Sequence, residues 1–196
     1  FPPSQLRQSA IDPDAFITSN LRLAPIAGVP RLQRYTAHPG SGLGRLAELH
    51  GASPYWAWLW SGGLALAAWI AEHPADVTGR RVLDYGAGSG LVAMVAAEAG
   101  ALSVTAIDSD PFARAATRLN AAANNLDIAI VDTLPDPAGF DLILAGDVFY
   151  DPAAARTSPS PTAPTAGSSL APPRRFRRWP SAASTSSGVP TPHSAI

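Results

Sequence analysis

An apolar run that breaks into three alternating glycines is the feature that most constrains this sequence. It reads RRVLDYGAGSGLVAMVAAEAG, from Arg80 to Gly100, and its alternating glycines are Gly86, Gly88 and Gly90. The short apolar run before the glycines predicts a buried strand, and the alanine-rich segment after them predicts a helix that ends at a glycine. A glycine-rich turn at this place in an α/β sheet is typical of a site for a nucleotide-like ligand.

The alternation of strands and helices continues along the chain as far as Asp151. We expect strands over 81–85, 103–108, 128–132 and 141–149, and helices over 61–74, 90–100 and 110–125. A further short helix is indicated over 12–23, and a strand over 31–38. Apolar strands that alternate with helices predict an α/β fold with a Rossmann-like, doubly wound and mostly parallel sheet, covered on both faces.

The composition changes sharply after Asp151. Residues 152–196 contain nine prolines and nine serines and no acidic residue. Such a segment buries too little apolar surface to offset the entropy lost on ordering, so we expect it to be disordered. The chain is therefore divided into an N-terminal extension over 1–50, a Rossmann-like domain over 51–151 and a tail over 152–196.

Composition also narrows the classes of partner. A net charge of −1 gives no electrostatic reason to expect nucleic acid or an anionic membrane. The chain has no cysteine, and its four histidines are scattered, so we expect no metal site. No apolar run approaches the about 20 residues of a membrane span, and the first residues lack the pattern of a signal peptide. We expect a cytoplasmic protein and a monomer.

The residues around the glycines favour one cofactor class over another. The spacing G-x-G-x-G differs from the G-x-G-x-x-G of dinucleotide-binding proteins, and Asp84 precedes the first glycine by two positions. A carboxylate there repels a pyrophosphate but suits an ammonium, such as that of the methionine part of S-adenosyl-L-methionine. Asp108, at the end of the second strand, is placed for ribose hydroxyls in either class. A tight turn without any ligand remains the alternative.

Three segments resemble motifs of the class I S-adenosylmethionine-dependent methyltransferases: DYGAGSG, AIDSDP and AGDVFYD. With the upstream SPYWAWLWSGGLALAAWI, they resemble the family typified by the electron transfer flavoprotein β-subunit lysine methyltransferase, including its bacterial members. The resemblance covers about Asp12 to Asp151. It departs where the family pattern W-P-G-G-Q is replaced by WSGGL at Trp60–Leu64.

The resemblance implies roles for individual residues. Cofactor-binding residues would be Trp60, Gly62, Asp84, Gly86, Gly88, Gly90 and Asp108. The catalytic pair facing the methyl acceptor would be Asp147 and Tyr150. The implied activity is protein-lysine N-methylation, with the electron transfer flavoprotein β subunit as the protein substrate. A small-molecule N-methyltransferase and an inactive methyltransferase-like chain are the alternatives.

The resemblance also bears on the tail. The family continues after GDVFYD with a helix and three more strands, whereas this sequence continues with residues rich in alanine, proline, serine and arginine. We expect a sheet that stops after the fourth strand, and our hypothesis is a shift of reading frame just after Asp151. A genuine disordered tail is the alternative.

Overall fold

The structure is a computed structural model that describes residues 11–147 of the chain. Its helices are α1 (Pro13–Asn20), α2 (Leu43–His50), α3 (Ser61–Glu72), α4 (Leu91–Glu98) and α5 (Pro111–Ala123). Its strands are β1 (Arg22–Ile26), β2 (Val29–Thr36), β3 (Arg81–Tyr85), β4 (Ser103–Ile107), β5 (Ala129–Val131) and β6 (Leu142–Ala145). Single 3-10 turns occur at Tyr55–Ala57, Pro74–Asp76 and Pro137–Gly139. The expected tail over 152–196 and Tyr150 lie outside the described residues.

Four parallel strands form the main sheet in the order β5-β4-β3-β6. The chain moves outward from β3 through β4 to β5 and then returns to the other side of β3 at β6. That reversal is the switch point of a doubly wound sheet, where the crevice for ligands opens beyond the carboxyl ends of the strands. The expected Rossmann-like α/β class is confirmed.

Both faces of the centre of the sheet are covered. Val82, Val104 and Leu144 lie on one face, within the apolar cluster to which α4 contributes. Leu83 points to the opposite face and is equally buried. This two-sided burial is the reason that the centres of the strands are mostly apolar.

The helix boundaries follow the expected signals closely. Asp110 caps α5 by accepting the Phe112 N–H at 2.8 Å, and Pro111 occupies the first helical position. α3 ends at Glu72, immediately before the 3-10 turn that Pro74 begins. The first turn of α3, in contrast, has no capping side chain of its own.

The expected strand over 31–38 is present as β2 (Val29–Thr36), but the rest of the N-terminal part differs from expectation. The expected helix ends at Asn20, and the chain then forms an antiparallel hairpin of β1 and β2 around Gly28, whose φ is +84°. β1 was not expected because its sequence has no alternating apolar pattern. It forms a strand because it pairs with β2 across the turn. Helix α2 was not expected either.

Two asparagines on α5 attach the hairpin to the rest of the fold. Asn120 accepts the Tyr35 N–H at 2.7 Å, and Asn124 both accepts from and donates to the backbone of Gln33. Asn120 is fully buried and also donates to the Ser89 carbonyl at 2.8 Å. The N-terminal extension is therefore packed directly behind the glycine loop.

Candidate active site

The glycine loop starts where β3 ends and turns back against β4. The N–H groups of Gly86 and Ala87 both donate to the Ile107 carbonyl, at 3.0 Å each. Gly86, Gly88 and Gly90 have φ values of +70°, +57° and +81°, a region that favours residues without a Cβ. The three alternating glycines thus serve the path of the backbone, which sharply reverses between strand and helix.

Gly90 has an additional packing role. A Cβ at this position would meet the Thr117 Cγ2 at 2.7 Å, closer than any real contact. Thr117 is buried and its hydroxyl donates to the Gly88 carbonyl at 3.1 Å. Gly90 therefore lets α4 begin directly against α5, and it does not line the cleft itself.

Asp84 lies at the carboxyl end of β3, in the floor of the cleft, and only 2% of its surface is exposed. Its Oδ2 accepts the Ala93 N–H in the first turn of α4 at 3.0 Å. Burial raises the pKa of Asp84 to about 7; the Ala93 hydrogen bond opposes the shift, and the charge of Asp108 adds to it. Such a carboxyl group lacks a cationic partner among the described residues, and a ligand ammonium supplies one.

Asp108 follows β4 and holds the loop in place. Its two carboxylate oxygens accept one N–H each, from Gly88 and from Asp110, both at 2.9 Å. Burial raises the pKa of Asp108, and the hydrogen bonds from Asp110 and Gly88 oppose that shift. Each oxygen keeps a free lone pair, so this carboxylate is able to accept ligand hydroxyls as well.

Asp147 lies just beyond β6 and contacts the start of α3. Its Oδ2 accepts the Gly63 N–H at 2.9 Å, which supplies the cap that the helix otherwise lacks. A Cβ on Gly62 would come within 2.6 Å of the same oxygen, and a Cβ on Gly146 would come within 3.0 Å of Gly63. The glycines at both contact points allow the end of β6 to approach the helix start.

A cleft of about 1210 Å³ opens above these residues. An aromatic segment, Tyr55–Trp60, contributes three exposed side chains to the cleft: Tyr55, Trp58 and Trp60. Trp56 of the same segment is buried and stacks on Phe112 with ring centroids 6.0 Å apart. The Trp60 ring lies 5.7 Å from that of Tyr55, and its indole N–H donates to the Tyr55 carbonyl at 3.0 Å. Trp56 is therefore a core residue, whereas Tyr55, Trp58 and Trp60 form an exposed aromatic wall of the cleft.

Arg34 supports the loop from behind. It is 2% exposed, and it donates to the Ala57 carbonyl at 2.5 Å, to the Ser89 hydroxyl at 3.3 Å and to the Tyr35 carbonyl at 3.3 Å. Burial lowers the pKa of Arg34 to about 10. Sequence reasoning missed Arg34 and Asn120, because both come from segments distant in sequence. One signal did exist: asparagines at positions 120 and 124 fall on one helical face.

Comparison with known proteins gives consistent matches. The family described as Ribosomal protein L11 methyltransferase (PrmA) matches residues 68–147. The electron transfer flavoprotein beta subunit lysine methyltransferase of Danio rerio is 45% identical over 106 residues, which are 52% of this chain and 41% of that protein. The protein of the same name from Homo sapiens is 40% identical over 104 residues, 51% of this chain and 40% of that one. This chain resembles the class I methyltransferases.

The matched region is limited in length. The chain spans less than half of the length of these two curated methyltransferase relatives. Among solved structures, a ribosomal protein L11 methylase from Lactobacillus delbrueckii subsp. bulgaricus shares 38% identity, with a TM-score of 0.40 over 45% of this chain and 47% of that chain. The expected resemblance to methyltransferases is confirmed.

The structure brings most of the expected methyltransferase residues together. The cleft is lined by Trp60, Asp84, Gly86, Gly88, Asp108 and Asp147. Gly62 and Gly90 stand behind its wall, at the close contacts with Asp147 and Thr117. Tyr150 lies outside the described residues. Within residues 11–147, no helix has the length and apolar character to cross a bilayer, and no group of acidic, histidine or cysteine side chains is arranged for a metal ion.

Proposed function

We propose that this protein is an S-adenosylmethionine-dependent protein-lysine N-methyltransferase, with the electron transfer flavoprotein β subunit as its acceptor. The observation that carries the proposal is Asp84, a buried carboxyl group in the floor of the cleft beside the glycine loop. The curated relatives that match half of this chain carry the name of that activity.

The side chains that line the cleft suit S-adenosylmethionine better than a dinucleotide. Asp84 would pair with its ammonium, and Asp108 would accept from its ribose hydroxyls, as their positions at the ends of β3 and β4 allow. No lysine or arginine of the described residues lines the cleft. A pyrophosphate would therefore meet carboxylates and no basic side chain, which disfavours NAD(H).

The remaining task of the protein is alignment and the removal of a proton. When bound, the cofactor supplies an electrophilic methyl group on a positively charged sulfur. An acceptor amine would attack that methyl group in line, with the C–N bond forming as the S–C bond breaks, so the residues of the cleft would act mainly by holding the two groups in alignment. The amine must first lose a proton, and its reference pKa near 10.4 makes that cost about 4.6 kcal/mol at pH 7.

Two effects act on that cost in opposite directions. The Asp147 carboxylate and the ring faces of Trp58 and Trp60 favour the charged amine, whereas the removal of water from the cleft by a bound acceptor would favour the neutral form. We assign Asp147 the role of orienting the incoming ammonium and accepting or relaying its proton. Asp147 is exposed, so the proton has a direct route to solvent.

The family match gives a second candidate acceptor. Because the Ribosomal protein L11 methyltransferase family matches residues 68–147, ribosomal protein L11 is the alternative protein substrate. A small-molecule amine and a chain that catalyses nothing are further alternatives. A cytoplasmic monomer remains our prediction, and size-exclusion chromatography together with cell fractionation tests it.

Calorimetry and a methylation assay test the proposal in sequence. Titration of the purified chain with S-adenosylhomocysteine should show saturable binding, and titration with NADH should show none. Incubation with tritiated S-adenosylmethionine and each purified acceptor protein, followed by mass spectrometry, should place methyl groups on lysines of the flavoprotein β subunit. Tight NADH binding would overturn the choice of cofactor, and methylation of ribosomal protein L11 alone would overturn the choice of acceptor.

A further inference from the structure

The cleft is strongly acidic. Five carboxyl groups line it: Asp84, Asp108, Asp110, Asp132 and Asp147. No basic side chain of the described residues lines it. Arg34 and Arg114 donate to backbone carbonyls and to Ser89 from outside its lining. An opening of this kind attracts cations and repels anions.

The carboxyl groups divide according to the strand that each follows. Asp84, near the carboxyl end of the central strand β3, and Asp108, directly after β4, are the two that we expect to contact the cofactor. Asp147 follows β6, at one edge of the sheet, and Asp132 follows β5 at the other. Because Asp147 caps α3 directly after Trp60, the exposed carboxylate and the aromatic wall belong to the same end of the cleft.

That end presents unusually exposed aromatic rings. Tyr55, Trp58 and Trp60 are 50%, 53% and 46% exposed. The Tyr55 and Trp60 pair is fixed by its ring contact and by the indole hydrogen bond. The Trp58 indole makes no hydrogen bond or ring contact with another described residue, although the ring lines the cleft. Aromatic faces bind cations, and exposed ones beside a carboxylate are complementary to an alkylammonium.

We propose that Trp58 is the residue that selects a lysine side chain of a partner protein, in the part of the cleft that Tyr55 and Asp147 also line. The inference rests on the proposed function for the fate of the bound amine, but binding itself needs no methyl transfer. The aromatic faces hold the alkyl chain and the ammonium, and Asp147 orients the charged end. A cationic side chain is thereby selected over an apolar one of the same length.

Binding is measured with short probes in the presence of saturating S-adenosylhomocysteine and again without it. The probes are the capped tripeptide Gly-Lys-Gly, the same tripeptide with norleucine, and butylamine. We expect the lysine peptide to bind about three- to tenfold more tightly than the norleucine peptide. Equal binding of the two peptides would overturn the cation site, and butylamine binding as tightly as the lysine peptide would overturn the protein partner.

Variants of the aromatic wall decide the role of Trp58. Trp58→Ala should weaken binding of the lysine peptide by about three- to tenfold, and Trp58→Phe should keep it within about twofold. Trp69→Ala, on α3 outside the cleft lining, is the matched control and should bind the peptide as the wild type does. Unchanged binding in Trp58→Ala, or an equal loss in Trp69→Ala, would overturn the assignment.

The test remains separable from the proposed function. Affinity for S-adenosylhomocysteine should change less than twofold in Trp58→Ala, because Trp58 lies in the acceptor end. If S-adenosylhomocysteine fails to bind the wild type, the proposed function fails, while the peptide titration still decides the acceptor site. The chain contains no lysine, since its 14 basic residues are all arginines, so any methyl-lysine detected comes from the added acceptor.

Discussion

The carboxylate of Asp147 caps a helix that starts far upstream in the sequence, by accepting the Gly63 N–H at 2.9 Å. Asp147 holds this position with a φ of +50°, a conformation that costs energy in any residue other than glycine. This hydrogen bond thus joins the residue that follows β6 to the first turn of α3. The capping role of Asp147 and its proposed proton-handling role are separable by substitution.

Asp147→Asn and Asp147→Ala separate the two roles. The amide oxygen of asparagine still accepts the Gly63 N–H, so Asp147→Asn should retain stability and keep S-adenosylhomocysteine affinity within a few-fold, while methyl transfer falls by about 10²-fold or more. Asp147→Ala should also lose about 0.5–2 kcal/mol of unfolding free energy. Denaturant unfolding and single-turnover kinetics measure both effects. An equal collapse of cofactor affinity in the two variants would place Asp147 in the cofactor site.

Substitution by alanine should destabilise the fold at Gly62 but not at the adjacent Gly63. Gly62→Ala places a Cβ 2.6 Å from the Asp147 Oδ2 and should displace the carboxylate, with a loss of about 0.5–2 kcal/mol of unfolding free energy. Gly63→Ala meets nothing within 4 Å and should be neutral or stabilising by up to about 1 kcal/mol. Thermal denaturation of the two variants compares them directly. Equal losses in both would contradict the close contact with Asp147.

Asp84 should link cofactor binding to pH. Burial holds its folded-state pKa at about 7, above its usual value of 3.8, and a bound ammonium lowers it again. Binding of S-adenosylhomocysteine at pH 6 should therefore release close to one proton, and affinity should rise up to about tenfold between pH 6 and pH 7. Calorimetry in two buffers of different ionisation enthalpy counts the proton. Asp84→Asn should bind weakly with no proton release.

The same residue should affect stability without ligand. The folded-state pKa of Asp84 is raised, so its contribution is present in full below pH 4 and is lost as the pH rises through about 7. The difference in unfolding free energy between Asp84→Asn and the wild type should consequently grow in favour of the variant from pH 5 to pH 8. A difference independent of pH would show that Asp84 is ionised throughout this range.

Asn120 and Asn124 provide a matched pair for the docking of the hairpin. Asn120→Ala removes the hydrogen-bond partner of the Tyr35 N–H and of the Ser89 carbonyl in a buried setting. Each unpaired group should lower the free energy of unfolding by about 1–3 kcal/mol. Asn124→Ala removes bonds to Gln33 at a more exposed position and should cost less. Urea unfolding gives the two losses, and hydrogen exchange of the β2 amides locates them. Equal losses would show that burial at Asn120 does not matter.

Much of the central fold was predictable from local pattern. The sequence predicts the strand Arg81–Tyr85 with the bounds that the structure has, because a strand buried on both faces has adjacent apolar residues at its centre, here Val82 and Leu83. The start of α5 followed from Asp110 and Pro111, since capping depends on residues adjacent in sequence. The acids at the ends of the strands were identified for a similar reason, because the ends of parallel strands meet at one edge.

What the sequence determined by itself was therefore the glycine loop, the acids beside it and the class of sheet, all of which depend on near neighbours along the chain. Only the tertiary structure decided that Trp56 is buried while Trp58 is exposed in the cleft, because the regular spacing of Trp56, Trp58 and Trp60 in the sequence does not distinguish them. It also decided the contact of Asp147 with Gly63, and of Asn120 with the hairpin. These contacts join segments distant in sequence, and their energies depend on burial and on distances that exist only after the chain has folded.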